Sequence, residues 1–98
     1  MRKSGVARRL ERLLGEILNL ENEERILREQ LDVWVESRDD LKIRSLVAET
    51  PLAEAEFAEM ERQVGIATRE LARIDELLRT QRSEYEALMN DWNPEEDL

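Results

Sequence analysis

The sequence predicts an all-α fold, an antiparallel two-helix coiled-coil hairpin, and three observations carry that expectation. Apolar residues recur in alternating steps of three and four along most of the chain, which is the coiled-coil signal. A single Thr50-Pro51 step interrupts the pattern near its middle. The composition is 41% hydrophobic and 40% charged, with only three Gly and two Pro in 98 residues, as in long helices rather than compact mixed folds.

In the first helix, expected over residues 6–49, the heptad a series reads Leu10, Ile17, Glu24, Leu31, Arg38 and Ser45. The d series reads Val6, Leu13, Leu20, Leu27, Trp34, Leu41 and Ala48, all of them apolar. Pro disfavours helical geometry in the residue before it, so Thr50 leaves the helix and residues 50–51 form the turn. Pro51 suits the start of a second helix, and Thr50 can cap it. Glu54 and Glu56 favour the positive end of that helix dipole. In the second helix, expected over residues 52–92, the a series is Phe57, Val64, Leu71, Leu78, Tyr85 and Trp92. Its d series is Ala53, Met60, Ala67, Ile74, Gln81 and Leu88. Residues 1–5 are expected as a flexible basic N-terminus and residues 93–98 as an acidic tail, leaving 6–92 as one domain.

A short turn favours antiparallel neighbours. Closing the chain at Glu49 sets Ser45 against Ala53, Leu41 against Phe57, Arg38 against Met60 and Trp34 against Val64. The register continues through Leu31 with Ala67, Leu27 with Leu71, Glu24 with Ile74 and Leu20 with Leu78. It ends with Ile17 against Gln81, Leu13 against Tyr85, Leu10 against Leu88 and Val6 against Trp92. Large Trp34 then faces modest Val64, as interdigitated packing requires. On the flanks this register pairs Lys42 with Glu61, Arg28 with Asp75, Glu21 with Arg82, Arg44 with Glu56 and Arg9 with Asp91; Glu16 against Glu84 is a like-charge exception. Exposed pairs contribute only about 0–1 kcal/mol each, so their value lies in choosing register. The polar seam residues Glu24, Arg38 and Gln81 are expected to bury their stems and send their heads to solvent; alternatively they set register or partner choice. Arg38 is within reach of Glu61, and Glu24 of Arg25 or Arg28.

Function classes narrow quickly. The chain has neither Cys nor His, which removes disulfides, thiolate metal sites, and the commonest metal ligand and general base. The acidic pairs Glu23-Glu24, Asp39-Asp40 and Glu95-Glu96 lack the Glu-x-x-His partner of bundled di-metal sites. Gly5, Gly15 and Gly65 are isolated and form no phosphate loop. No catalytic residue, cofactor or metal is therefore expected. A net charge of −9 argues against direct nucleic-acid binding, which needs clustered Lys and Arg. The basic cluster of Arg2, Lys3, Arg8, Arg9 and Arg12 would lie beside the acidic tail. No uninterrupted apolar stretch follows the basic start, and no run reaches the length of a membrane span, so a cytoplasmic location without membrane contact is expected.

Helix 1 carries apolar residues that the seam does not use: Leu14, Leu18, Ile26, Val33, Val35, Ile43, Leu46 and Val47. Scattered exposed apolar residues are ordinary, but Ile43, Leu46 and Val47 share one turn, and Ile26 and Val33 lie seven apart. A second stripe marks a second packing surface. Leu18, Ile26, Val33, Ile43, Leu46 and Val47 are the expected interaction surface. The expected occupant is a second copy, giving a four-helix bundle, or another helical protein.

The segment Leu46-Val47-Ala48-Glu49-Thr50-Pro51-Leu52-Ala53-Glu54 resembles one in short helical-hairpin proteins of actinobacteria. The resemblance covers the turn and its flanking heptads, and implies a small helical regulator or adaptor. Helical-hairpin anti-sigma factors that bind cyclic di-GMP are a further comparison. Their motif, Glu-x3-Ser-x2-Arg-x3-Gln-x3-Asp, is absent around Ser37, Ser45 and Ser83, so ligand binding is not carried over. The function expected is a non-enzymatic coiled-coil interaction module acting as adaptor or scaffold. The alternative is a small anti-sigma-like transcriptional regulator that sequesters a protein partner.

Overall fold

A computed structural model describes residues 4–93 and residue 95. Its described residues form two long helices, α1 (Gly5–Ala48) and α2 (Pro51–Asp91), with no strand among them. Of the N-terminal stretch 1–5 expected to be flexible, residues 1–3 lie outside the described residues, as do tail positions 94 and 96–98, whereas Ser4 and Gly5 are ordered into the start of α1. α1 starts at Gly5, one residue ahead of the periodic pattern, because Ser4 caps it: the Ala7 amide donates to Ser4 Oγ at 3.1 Å. A serine oxygen in that place satisfies one of the amides the first turn leaves without a partner.

The end of α1 is made by Glu49, whose φ of 51° is left-handed. Its amide donates to the Ser45 carbonyl at 3.1 Å, the single 5→1 bond of the left-handed helix cap. Thr50 then caps α2, accepting from the Ala53 amide on Oγ1 at 3.2 Å. Pro51 belongs to α2 rather than to the turn, since a first helical residue needs no amide hydrogen. The turn is thus Glu49-Thr50. Helix α2 stops at Asp91, beyond which the Trp92 amide meets the Met89 carbonyl at 3.4 Å and the Glu95 amide meets Asn93 Oδ1 at 3.1 Å.

The chain divides into two units, Met1–Glu23 with Ile74–Leu98, and Glu24–Arg73. In the first unit Leu10, Leu13, Ile17, Ile74 and Leu78 are buried, Leu78 most completely. Leu20, Gln81, Tyr85, Leu88 and Trp92 are half-buried, and Val6 is exposed. Three pairs cross between the two helices: Arg9 with Glu84, Gln81 Nε2 with Glu16 Oε2 at 3.1 Å, and Arg82 with Glu21 at 3.8 Å. The two helices of this unit therefore lie side by side. Arg9 goes to Glu84 rather than to the expected Asp91, and Glu16 takes Gln81, so the expected clash of Glu16 with Glu84 is relieved. Gln81 does this at a cost. Its Oε1 is buried without a partner.

In the second unit Val64, Ala67 and Leu71 are buried. Leu27, Leu31, Trp34, Leu41, Phe57 and Met60 are half-buried, and no α1 residue of this unit is fully enclosed. Arg38 stretches across to Glu61 at 3.9 Å while also donating to Asp39 at 3.1 Å, and Glu24 is met by Arg28 at 3.6 Å. These half-buried charged seam residues keep their heads at the edge, where water and a counter-charge share the desolvation. Two long helices separated at Glu49-Thr50, joined by side-chain pairs in the first unit and by an ion pair in the second, fit a coiled-coil hairpin.

Two sets of variants test this account in urea titrations. Glu49→Gly is expected to raise stability by about 0.5–1 kcal/mol, because Gly reaches left-handed φ without strain. Thr50→Ala is expected to lower it by about 1 kcal/mol through loss of the cap. Gln81→Leu is expected to raise it by about 1 kcal/mol, since it removes a buried acceptor without a partner; a loss would show that the Glu16 contact outweighs that burial.

Candidate interaction surface

A seven-residue repeat commits two positions in seven to the seam, so additional apolar side chains on the same helix must face elsewhere. In the Glu24–Arg73 unit these are concentrated at the end next to the turn. Ile43 is 61% exposed, Leu46 69% and Val47 80%. They stand at i, i+3 and i+4, the spacing that puts side chains on one helix face. Across the turn Leu52, near the start of α2, is 70% exposed. Sequence periodicity had not singled out Leu52, because one apolar residue at a helix start creates no stripe. Further back on α1, Ile26 and Val33 are exposed, and on α2 so is Ile66. Val35, counted among the surplus residues, is half-buried.

The other unit is different. There Leu14 and Leu18 of α1 are exposed, as are Leu77 and Met89 of α2, but all of α1's fully buried side chains lie in this unit. Gly15, between Leu14 and Glu16, has open space where a Cβ would stand, and a Cβ at Gly65 would meet only the Arg69 guanidinium at 3.5 Å. Close approach of a neighbouring helix within the chain therefore does not account for either glycine.

The charges around the turn-proximal patch are distributed unevenly. Along α2, Glu59 holds Arg62 at 2.6 Å, Glu70 holds Arg73 at 2.6 Å, and Glu76 pairs with Arg79. Hydrogen bonds from Arg62 and then Gln63 hold the Glu59 carboxyl below the ordinary carboxylate range, and the bond from Arg73 does the same for Glu70. Glu59 in turn raises Arg62. Glu54 and Glu56, nearer the turn, have no such partner among the described residues, and neither do Lys42 and Arg44, which flank Ile43. The expected pairs Lys42 with Glu61 and Arg44 with Glu56 do not form. Arg38, whose planar guanidinium has several donors to direct, occupies Glu61 instead.

What this arrangement offers chemically is contact. The exposed aliphatic side chains share this end of the unit with exposed charged residues of both signs, and among the described residues no group of three His, Cys, Asp or Glu side chains could hold a metal ion. No described helix is long and apolar enough to cross a membrane. The burial contrast predicts a mutational contrast, read from thermal or urea unfolding. Val47→Ala is expected to change stability by no more than about 0.5 kcal/mol, whereas Leu78→Ala is expected to lower it by about 2–5 kcal/mol. Comparison with protein-family models, with curated proteins and with solved structures finds no match for this chain.

Proposed function

We propose that this chain is a non-enzymatic helical interaction module, an adaptor or scaffold that works by presenting the outer face of α1 to another apolar helix surface. The observation that carries this reading is the exposure of Ile43, Leu46 and Val47 on one face at 61–80%. Burying such residues elsewhere would be worth about 1.5–3 kcal/mol each. A helix that keeps them in water forgoes that stabilisation unless a partner covers them. Recognition would be helix against helix, and the assembly formed a four-helix bundle when the partner contributes two helices.

The test is the double substitution Ile43→Glu with Val47→Glu. Its helix content by circular dichroism and its unfolding midpoint should match the wild type, while association, read as solution mass or as retention of a bound protein on tagged chain, should be lost. If helix content collapses together with association, these side chains belong to the folded core and the reading is overturned.

A further inference from the structure

We infer that the occupant of the exposed α1 face in the Glu24–Arg73 unit is a basic amphipathic helix of another protein. It would lay aliphatic side chains on Ile43, Leu46 and Val47 and set lysines or arginines beside Asp32, Glu36 and Asp40. The inference rests on the interaction-module reading and states the chemistry of its partner.

The face is built from three rows of residues at seven-residue intervals, the spacing that keeps side chains on one side of a coiled-coil helix. Glu29, Glu36 and Ile43 make one row, and Asp32, Asp39 and Leu46 make the second. Val33, Asp40 and Val47 make the third, and all three rows are exposed. Between Ile26 and Val47, α1 carries five carboxylates, and every one of them falls in these rows. The four cations of the same stretch do not. Arg38 is a seam residue, and Arg28, Lys42 and Arg44 take heptad positions that flank the seam. The flank positions at the start of α2 hold Glu54, Glu56 and Glu61. The cations of α1 are thus placed toward α2, and its outer side is left acidic.

Two of the five carboxylates are already held, Glu29 by Arg25 at 3.4 Å and Asp39 by Arg38 at 3.1 Å. Asp32, Glu36 and Asp40 have no ion pair among the described residues, and exposed Glu49 at the turn has none either. Lys42 and Arg44 are likewise without one, but they stand on opposite flanks and leave the outer rows without a cation. Carboxylates interleaved with exposed aliphatic side chains select the charge of whatever covers them. Nucleic acid and anionic lipid would bring phosphates against those carboxylates. A second copy placed face to face would bring the same sign, and on α2 Arg62 and Arg73 are held by Glu59 and Glu70. A cationic amphipathic helix answers the free carboxylates while its apolar stripe covers the aliphatic end.

The experiment uses a synthetic amphipathic peptide of about four helical turns, with a leucine stripe rimmed by lysines, and a matched peptide with glutamate at every lysine. Each is labelled and titrated with the full chain by fluorescence anisotropy. The lysine peptide is expected to bind in the micromolar range, at least about tenfold tighter than the glutamate peptide, and more weakly as ionic strength rises. The triple variant Asp32→Asn, Glu36→Gln and Asp40→Asn should weaken that binding about tenfold. A second triple variant, Glu86→Gln, Asp91→Asn and Glu95→Gln, removes the same number of exposed carboxylates elsewhere and should bind as the wild type does. The comparison of the two peptides and the salt series use the wild type, so they stand even where a variant loses its helix. Equal weakening in the two triple variants would show that only net charge is read, and overturns the assigned face. A lysine peptide that fails to bind, or binds no better than the glutamate peptide, overturns the basic partner and leaves the interaction-module reading intact. A wild type that reaches twice the 11.6 kDa chain mass, and loses that association in Ile43→Glu with Val47→Glu, puts a second copy on the face and overturns the foreign helix. Helix loss in that double variant overturns the underlying reading instead.

Discussion

Pro51 has no amide hydrogen, and its ring excludes helical geometry at Thr50; every other feature of this chain depends on how that constraint is met. The helix that arrives must end, yet its last carbonyls need donors. Glu49 resolves the conflict by adopting φ of 51° and donating its amide to Ser45. For a residue with a Cβ, left-handed geometry is unfavourable by about 1–2 kcal/mol. Thr50 offsets part of it by capping the helix that leaves. The place of the reversal decides which residues of α2 stand beside which residues of α1, so the two turn residues, Glu49 with its left-handed backbone and the capping Thr50, set the partners of the helices on either side.

Burial is distributed unequally along those helices. Leu10, Leu13, Ile17, Ile74 and Leu78 enclose one another's unit well enough to tolerate Gln81 with a buried, unpaired oxygen. In the unit that contains the turn, Trp34, Leu41, Phe57 and Met60 are only half covered, while Ile43, Leu46, Val47 and Leu52 face water. A pair of helices can shield one stripe on each, and no side chain beyond that stripe is dried by the fold itself. The unit that is least enclosed is also the one with the largest apolar surplus, which is why the proposed contact is placed there.

The exposed charges follow local opportunity more than register. Arg62, Arg73 and Arg79 each turn to a glutamate three residues earlier on their own helix. Arg38 reaches both Asp39 and Glu61, displacing the pairing of Lys42 with Glu61 that heptad geometry suggests. Arg9 finds Glu84, not Asp91. Long flexible side chains in water choose among several partners that differ by less than about 1 kcal/mol, so a flank assignment drawn from heptad letters alone is easily redirected. The cross-helix pairing of Glu21 with Arg82 matches its heptad assignment because both side chains lean to the same flank.

By itself the sequence determined the helical state and the position of the reversal, since a heptad period and a proline act through nearest neighbours and leave the backbone few choices. It also showed that α1 has more apolar residues than one seam can use, which is a matter of counting positions. Only the tertiary structure decided that Glu49 takes the left-handed position, because no glycine or asparagine marks it. Only there did Gln81 emerge with a buried oxygen lacking a partner, Leu52 join the exposed apolar residues beside the turn, and Lys42, Arg44, Glu54 and Glu56 remain without counter-charges. These outcomes depend on which of several nearby side chains arrives first within a few ångströms, and periodicity along a chain carries no such distance.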